Sequence, residues 1–390
     1  MAVHRQGHQS AHCRGSCLSS ARSFRLTLID TDATRALRTA LAQQLVEQGD
    51  IQSDVWHRVV RTVPRHPFVP TFYRQAGTVW EQVTPCDAGY LDHVYGDRAL
   101  TTQVIDGVPT SSSSQPGLML QMLEALDVAD DHTVCEVGTG TGYNAALLSE
   151  RATSARVTTV EVDTGLADAA RERLALCGYT PSVVAGDGRR PHSENGPYDR
   201  LIATCGFSAV PYGWVRLMRP GGVIVCPVGW GNVRLTVTAD GRAEGPFLPG
   251  GSCFMSVRDK GADGRVPYPG TPSSAHQKAA TLDLSVLQEE GFRFLLSLVL
   301  HDVADASECD AHGHPNGHRM WARDGSWAHV TEGKVKQYGP TRLWDRVEAA
   351  YAWYDSAGRP NRDRFGVTVA PEGQSLWLDT PEASVSVTSQ

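Results

Sequence analysis

Val134-Cys135-Glu136-Val137-Gly138-Thr139-Gly140-Thr141-Gly142-Tyr143-Asn144 decides how this chain folds. A mostly apolar strand runs into a glycine-rich turn, and a helix follows. Gly138, Gly140 and Gly142 let the chain turn sharply and bring bare backbone close to a ligand. The helix after Gly142 points unpaired N–H groups and a partial positive charge at that ligand. An acid, Glu161, closes the next strand in Thr159-Val160-Glu161-Val162. From that place a carboxylate grips ribose hydroxyls in dinucleotide-type sites.

The glycines follow G-x-G-x-G spacing, not G-x-G-x-x-G, and the acid Glu136 precedes them. This reads as an S-adenosylmethionine turn rather than a nicotinamide turn. Glu136 is expected to reach the cofactor's ammonium, and the turn amides from Gly138 through Thr139 and Gly140 to Gly142 its carboxylate. Tyr143 and Asn144 open the helix beside it. Glu161 and Val162 are expected at the ribose. A third strand end, Val183-Val184-Ala185-Gly186-Asp187-Gly188, offers Asp187 to the adenine amino group with Gly188 beside it.

The chain has 390 residues, 41% hydrophobic, enough for two domains or one large domain with an appendage. A net charge of −7 argues against a nucleic-acid partner. No apolar run approaches membrane-spanning length. The nine cysteines lack regular spacing, which fits a reducing, cytoplasmic location rather than a disulfide framework. Cys135, Cys205 and Cys226 sit in apolar strand-like segments, where buried thiols are the default. Residues 1–33 carry Arg, His and Ser with no signal-peptide core and read as a disordered start. Cys13, Cys17 and His12 within it are only a compositional hint of metal binding.

Helices are expected over 34–60, where Leu37, Leu41, Leu45 and Val46 recur at helical spacing and a second short run stops before Pro64. Val63 to Pro70 reads as stiff and extended. Residues 93–115 are polar, and their serine run, Ser111 to Ser114, is either a solvated linker or a hydroxyl-bearing wall of the cofactor mouth. A helix with Leu118, Met119, Met122, Leu123 and Leu126 on one face follows. Strand–helix alternation over 133–238 predicts a mostly parallel sheet, with strands at 133–137, 157–162, 182–186, 199–204, 222–228 and 233–238. Pro220-Gly221-Gly222 is expected as a tight turn before the fifth strand. Later come an apolar stretch, 281–303, and a polar surface loop, 304–318, carrying His312, His314 and His318. A helix is expected over 341–356, and short strands near 367–369 and 376–378. Trp321, Trp327, Trp344 and Trp353 are candidates for a peptide groove or for core.

Several segments resemble the protein-L-isoaspartate O-methyltransferase family. They are Val63-Pro64-Arg65-His66 with Phe68-Val69-Pro70, Ser114-Gln115-Pro116 before a helix, Glu136 to Tyr143, Thr159-Val160-Glu161, and Gly186-Asp187-Gly188. Pro197 to Ile202 and Pro220-Gly221-Gly222 through Pro227-Val228-Gly229 complete the set. The resemblance covers roughly residues 34–238. It implies an α/β, Rossmann-like class I S-adenosylmethionine-dependent methyltransferase with N-terminal helices and an α+β C-terminal extension. The expected division is a methyltransferase domain over 34–240 and a substrate-recognition domain over 241–390.

The serine run and the tail are similar to a branch of that family encoded beside ribosomally made peptides, either cross-linked by ATP-grasp ligases (graspetides) or lanthipeptides. The tail segments are Leu343-Trp344-Asp345, Gly358-Arg359-Pro360, Arg364 to Val369 and Trp377-Leu378-Asp379. The resemblance implies methylation of an aspartate carboxylate in a modified precursor peptide, then aspartimide formation, with S-adenosylhomocysteine as the other product. The peptide-cyclising enzyme of the same pathway is a further candidate partner. An aspartate is already ionised near neutral pH, so positioning rather than a strong base is required. Ser114 is the candidate for orienting the carboxylate, with Ser112 and Thr110 behind it. Competing readings are a repair enzyme acting on isoaspartyl damage and a non-catalytic module that only presents a peptide.

Overall fold

The glycine-rich turn leaves an inner strand of a nine-stranded sheet, two strands from one edge. The computed structural model describes residues 30–190, 193–257, 266–312 and 314–385. Helices α1 (Asp32–Gln48) and α2 (Asp54–Thr62) come first, then strands β1 (Phe72–Ala76) and β2 (Val79–Val83). A short helix α3 (Tyr90–Val94), strands β3 (Leu100–Ile105) and β4 (Val108–Ser113), and helix α4 (Pro116–Leu126) follow. The alternating segment holds β5 (Val134–Val137), α5 (Tyr143–Ala152), β6 (Val157–Glu161), α6 (Thr164–Leu176), β7 (Ser182–Ala185) and β8 (Tyr198–Ala203). It continues with α7 (Tyr212–Val215), β9 (Met218–Val228), β10 (Gly231–Val237) and β11 (Ala243–Pro246). The rest comprises β12 (His276–Ala279), α8 (Glu290–Val299), β13 (Val303–Cys309), β14 (Pro315–Ala322), β15 (Trp327–Thr331), β16 (Lys334–Tyr338), α9 (Leu343–Ser356), β17 (Phe365–Ala370) and β18 (Gly373–Leu378).

The central sheet runs β18-β17-β11-β10-β9-β8-β5-β6-β7. From β9 to β7 it is parallel, and from β9 to β18 antiparallel. Every residue of β5 and β6 is buried, as strands covered on both faces require. The chain leaves β5 towards β6 and β7, then returns to β8 on β5's other side. That reversal opens a crevice at the strand ends between β5 and β8, the usual ligand site of such sheets. Pro220-Gly221-Gly222 falls inside β9 rather than before it. There the β8–β9 register shifts, and Gly221 takes a left-handed φ of 82°.

The boundary expected at residue 240 divides one sheet. Strand β11 pairs with β17, and β17 with β18, so the chain's last strands extend the sheet begun by β5. Phe247, Phe294 and Phe365 stack edge-on at 4.8 and 5.6 Å, joining the strands of the sheet to α8 in a single core. Of the start expected to be disordered, residues 1–29 lie outside the described residues, and residues 30–33 are ordered. Thr31 caps α1, and Asp30 accepts hydrogen bonds from Thr34 and from the buried Arg38 at 2.9 Å each. His12, Cys13 and Cys17 lie outside the described residues.

Two smaller antiparallel sheets flank this core. One, ordered β2-β1-β3-β4, lies among the N-terminal helices, and its β1–β2 hairpin has no counterpart in the sequence reading. The Ser-rich run is therefore a paired strand rather than a linker. The other sheet, β12-β16-β15-β14-β13, overturns the polar loop expected at 304–318, because Val303–Cys309 and Pro315–Ala322 pair as a hairpin. His318 is buried on β14, while His312 and His314 are exposed at the hairpin tip. Among the described residues no group of three His, Cys, Asp or Glu side chains is placed to hold a metal. Trp327 and Trp344 are core residues. Among the described residues no helix is long and apolar enough to cross a membrane.

Candidate active site

The crevice at β5 and β8 is a cleft of about 130 Å³, lined by the glycine-rich turn, the serine strand, Glu161, Val162, Asp187 and Gly188. Its floor depends on a missing side chain. At Gly138, where φ is 97°, a Cβ would come within 2.7 Å of Thr204 Oγ1, which itself donates to the Gly138 carbonyl at 2.6 Å. At Gly140 a Cβ would project towards the Ser112 carbonyl and Ser111 Oγ, at 3.6 and 3.8 Å, narrowing the gap between turn and serine strand. Helix α5 starts at Gly142 with no side-chain cap. The turn amides expected to hold a carboxylate are already used: Gly138 and Thr139 donate to the Val160 carbonyl, Gly140 to Glu161 and Gly142 to the Thr139 carbonyl, while the Tyr143 amide meets Thr141 Oγ1 at 3.4 Å. The amides that follow in the first turn of α5 are the ones placed for an anionic group.

The three expected carboxylates differ in their surroundings. Glu136 has no solvent exposure; its Oε1 accepts from Asn144 Nδ2 and its Oε2 from Thr159 Oγ1, at 2.8 and 2.6 Å. Burial pushes its carboxyl up to about 7, against the two hydrogen bonds that pull it down. In this arrangement Glu136 braces the turn instead of reaching out to an ammonium. The free acceptor beside it is Asn144 Oδ1, which is buried without a partner in a residue that lines the cleft. Thr139 Oγ1 meets Thr159 Oγ1 at 2.6 Å, so its hydroxyl serves the same brace. Glu161 Oε2 accepts from the Gly140 amide at 2.8 Å, and Oε1 from the Asp163 amide at 3.1 Å. These bonds aim the carboxylate along the turn and leave lone pairs for ribose hydroxyls. Asp187 is gripped by Arg189 through Nε and Nη2, both at 2.9 Å, and that hydrogen-bonded arginine holds its carboxyl below the usual range.

The serine strand divides into used and unused hydroxyls. Ser111 Oγ accepts from Thr102, and Ser113 Oγ from Arg65. Thr110 donates to Gln103 at 2.7 Å. Among the described residues, the hydroxyls of Ser112 and Ser114 are the two in this run without a protein partner, and both residues line the cleft. Positions two apart share one strand face. Tyr143 lines the same cleft, its ring 5.8 Å from Phe68.

Sequence reasoning missed two parts of this site. Phe254 to Val257 form a wall, held by Gly206 N–H to the Met255 carbonyl and Val257 N–H to the Gly206 carbonyl, both at 2.8 Å. No periodicity marks that segment. Thr204 and Cys205 follow directly on β8, and their strand-end position was the available signal.

The residues present fit an S-adenosylmethionine molecule: an unpartnered acceptor at Asn144, uncapped helix amides, and Glu161 at the strand edge. A profile of the family described as protein-L-isoaspartate(D-aspartate) O-methyltransferase matches residues 36–247. The protein-L-isoaspartate O-methyltransferase of Methanopyrus kandleri is 34% identical over 203 residues, covering 51% of this chain and 80% of that protein. Its counterpart in Azorhizobium caulinodans is 34% identical over 204 residues, 52% of this chain and 82% of that protein. A solved protein-L-isoaspartate O-methyltransferase shares the fold at 19% identity and a TM-score of 0.53, covering 88% of this chain and 100% of that one. That likeness runs past residue 247, so the extension is not foreign to structures bearing this name.

Proposed function

Because this chain belongs to the protein-L-isoaspartate(D-aspartate) O-methyltransferase family, we propose that it esterifies the side-chain carboxylate of an aspartate in a modified, ribosomally made precursor peptide. It is an S-adenosylmethionine-dependent O-methyltransferase, and the cofactor supplies a methyl group on a positively charged sulfur. One observation carries the choice of a carboxylate acceptor. Among the described residues, the polar side chains of the cleft are hydroxyls, three carboxyls, Asn144 and Cys205, set among apolar neighbours such as Met119 and Leu166, with no His, Lys or Arg. Such a lining suits a cationic donor and an acceptor that is already ionised.

The chain's own residues then position rather than deprotonate. Ser112 and Ser114 donate to the acceptor carboxylate. Asn144, Glu161, Asp187 and the amides of the first turn of α5 hold the cofactor, and the wall from Phe254 to Val257 keeps water out. Alignment of this kind supplies up to about 7–11 kcal/mol in well-oriented cases. The ester carbonyl is a better electrophile than the carboxylate, so the next backbone amide closes on it to give an aspartimide and methanol. The pathway's peptide-cyclising enzyme is the partner that would deliver such a substrate.

A second reading is repair of isoaspartyl residues. It is favoured by the names of the relatives and by the solved structure whose likeness spans 88% of this chain. Incubating the enzyme with a generic isoaspartyl peptide and, separately, with the precursor peptide encoded beside its gene distinguishes them by mass spectrometry. Addition of one methyl, or loss of one water after closure, on the precursor alone supports the first reading. Methylation of the isoaspartyl peptide alone supports repair and removes it.

A further inference from the structure

A second, larger cleft of about 970 Å³ adjoins the first, and Phe254, Ser256 and Val257 line both. Its far wall is β13 and β14, outside the residues matched by the family profile. Strand β13 is the last strand of its sheet, with no neighbour beyond it among the described residues. An edge strand of this kind presents a row of backbone donors and acceptors that another backbone can match. Asp305, Ser307 and Cys309 alternate along β13 and all line the cleft.

Ser307 stands directly opposite His318 on β14, with its Oγ 3.2 Å from His318 Nδ1. His318 Nε2 lies 3.7 Å from Asp305 Oδ2. The three side chains form a polar row in a wall that also carries Val303, Cys309, Met320 and Ala322. Burial lowers the proton affinity of His318, so its ring offers one donor and one acceptor.

We propose that this second cleft holds the backbone of the methyl acceptor. The acceptor is an extended peptide lying along β13 as an added strand, its target carboxylate directed past Ser256 into the first cleft. The Ser307–His318–Asp305 row reads a polar side chain of that peptide. This rests on the carboxyl-methylation reading above. A polypeptide is the occupant because the open strand edge demands a backbone, and because the cleft is continuous with the site where its carboxylate reacts.

The cleft carries its own reporters. Cys253 and Cys309 are exposed free thiols that line it, while the exposed Cys86 does not. The probe is a pool of random-sequence peptides, each with one central aspartate or isoaspartate, to which the modified precursor peptide encoded beside the gene is added, offered to the full-length enzyme with S-adenosylmethionine. Peptides that become methylated are resynthesised. They should slow iodoacetamide alkylation of Cys253 and Cys309 and leave Cys86 unchanged. Ser307→Trp should raise their KM by about tenfold or more and abolish the protection, with an unchanged cofactor Kd. Ser307→Ala, a gentler change, should raise KM less, and it carries the test if the tryptophan variant no longer binds cofactor. Methylated peptides that protect neither thiol, or a KM indifferent to both variants, overturn the cleft assignment and leave carboxyl methylation standing. A pool with no methylated member, from enzyme that binds the cofactor, overturns the methylation reading and this assignment with it.

Discussion

The guanidinium of Arg65 donates to the carbonyl oxygen of Ser114 at 3.0 Å from a position with no solvent exposure. The same group also reaches the carbonyls of Val94, Gly96, Arg98 and Ser113. One side chain thus ties the serine strand to the turn after α3. Burial pushes its guanidinium down to about 10, which still leaves it charged at neutral pH. Arg65→Met should strand those carbonyls and cost about 3–5 kcal/mol, read from urea unfolding. Arg65→Lys should retain part of that stability yet lower kcat, since a point charge cannot span carbonyls spread over a planar fork. A lysine variant with wild-type kcat would detach Arg65 from the alignment of Ser114.

Ser114→Ala removes an unused hydroxyl from the cleft. It should slow single-turnover methyl transfer by roughly tenfold or more, the value of a hydrogen bond to a charged group, while the cofactor Kd by calorimetry stays put. Ser111→Ala should do less to the rate, because Thr102 already occupies that hydroxyl. Unchanged transfer by the Ser114 variant would remove its role.

Asp187→Ala should raise the cofactor Kd by about tenfold. Arg189→Ala frees the same carboxylate and should change Kd much less. Equal losses in the two variants would mean that the pair supports the cleft wall and does not contact the adenine.

Glu136 gives the protein a pH signature. Its carboxyl sits near 4.5 in the unfolded chain and at about 7 in the fold, raised by burial. The folded state therefore favours the protonated form. Its contribution to stability is fully present below 4.5 and is lost as pH rises to about 7, a change of about 3 kcal/mol. Glu136→Gln should abolish that slope. Parallel stability curves for the two proteins over this window, from denaturant unfolding, would show that Glu136 keeps its unfolded affinity for protons.

A chain ended at residue 240 should not give a folded protein. It lacks β11, β17 and β18, and with them Phe247, Phe294 and Phe365 of the shared core. Near-UV circular dichroism should show no fixed aromatic environment. A truncated chain with native spectra and cofactor affinity would restore the boundary expected at residue 240.

What the sequence made legible follows from how each segment is buried. Strand β5 and the inner parts of β8 and β9 are covered on both faces and so appear as apolar runs, while the turn between β5 and α5 carries glycines that only a tight approach explains. Strand β1 exposes much of its length, with Arg74 and Gln75 outward, so no apolar alternation betrays it. The prolines around Arg65 predict a stiff extended run, but His66–Phe68 forms a turn of 3-10 helix, and the Arg65 guanidinium is buried. Strands β17 and β18 were visible as short apolar runs. Their partner β11 was not, because strand pairing between distant segments leaves no trace in local pattern. The same holds for the wall at Met255, which is fixed by two bonds to Gly206.

The pairing of β11 with β17 also sets a timetable for biosynthesis. A ribosome delivers β11 long before the strand that covers its outer edge, so the growing chain carries an unprotected sheet margin until β17 has been made. Native assembly of the cofactor-binding sheet thereby waits for β17 and β18, and chaperone occupancy on ribosome-bound chains should persist until residue 378 has emerged.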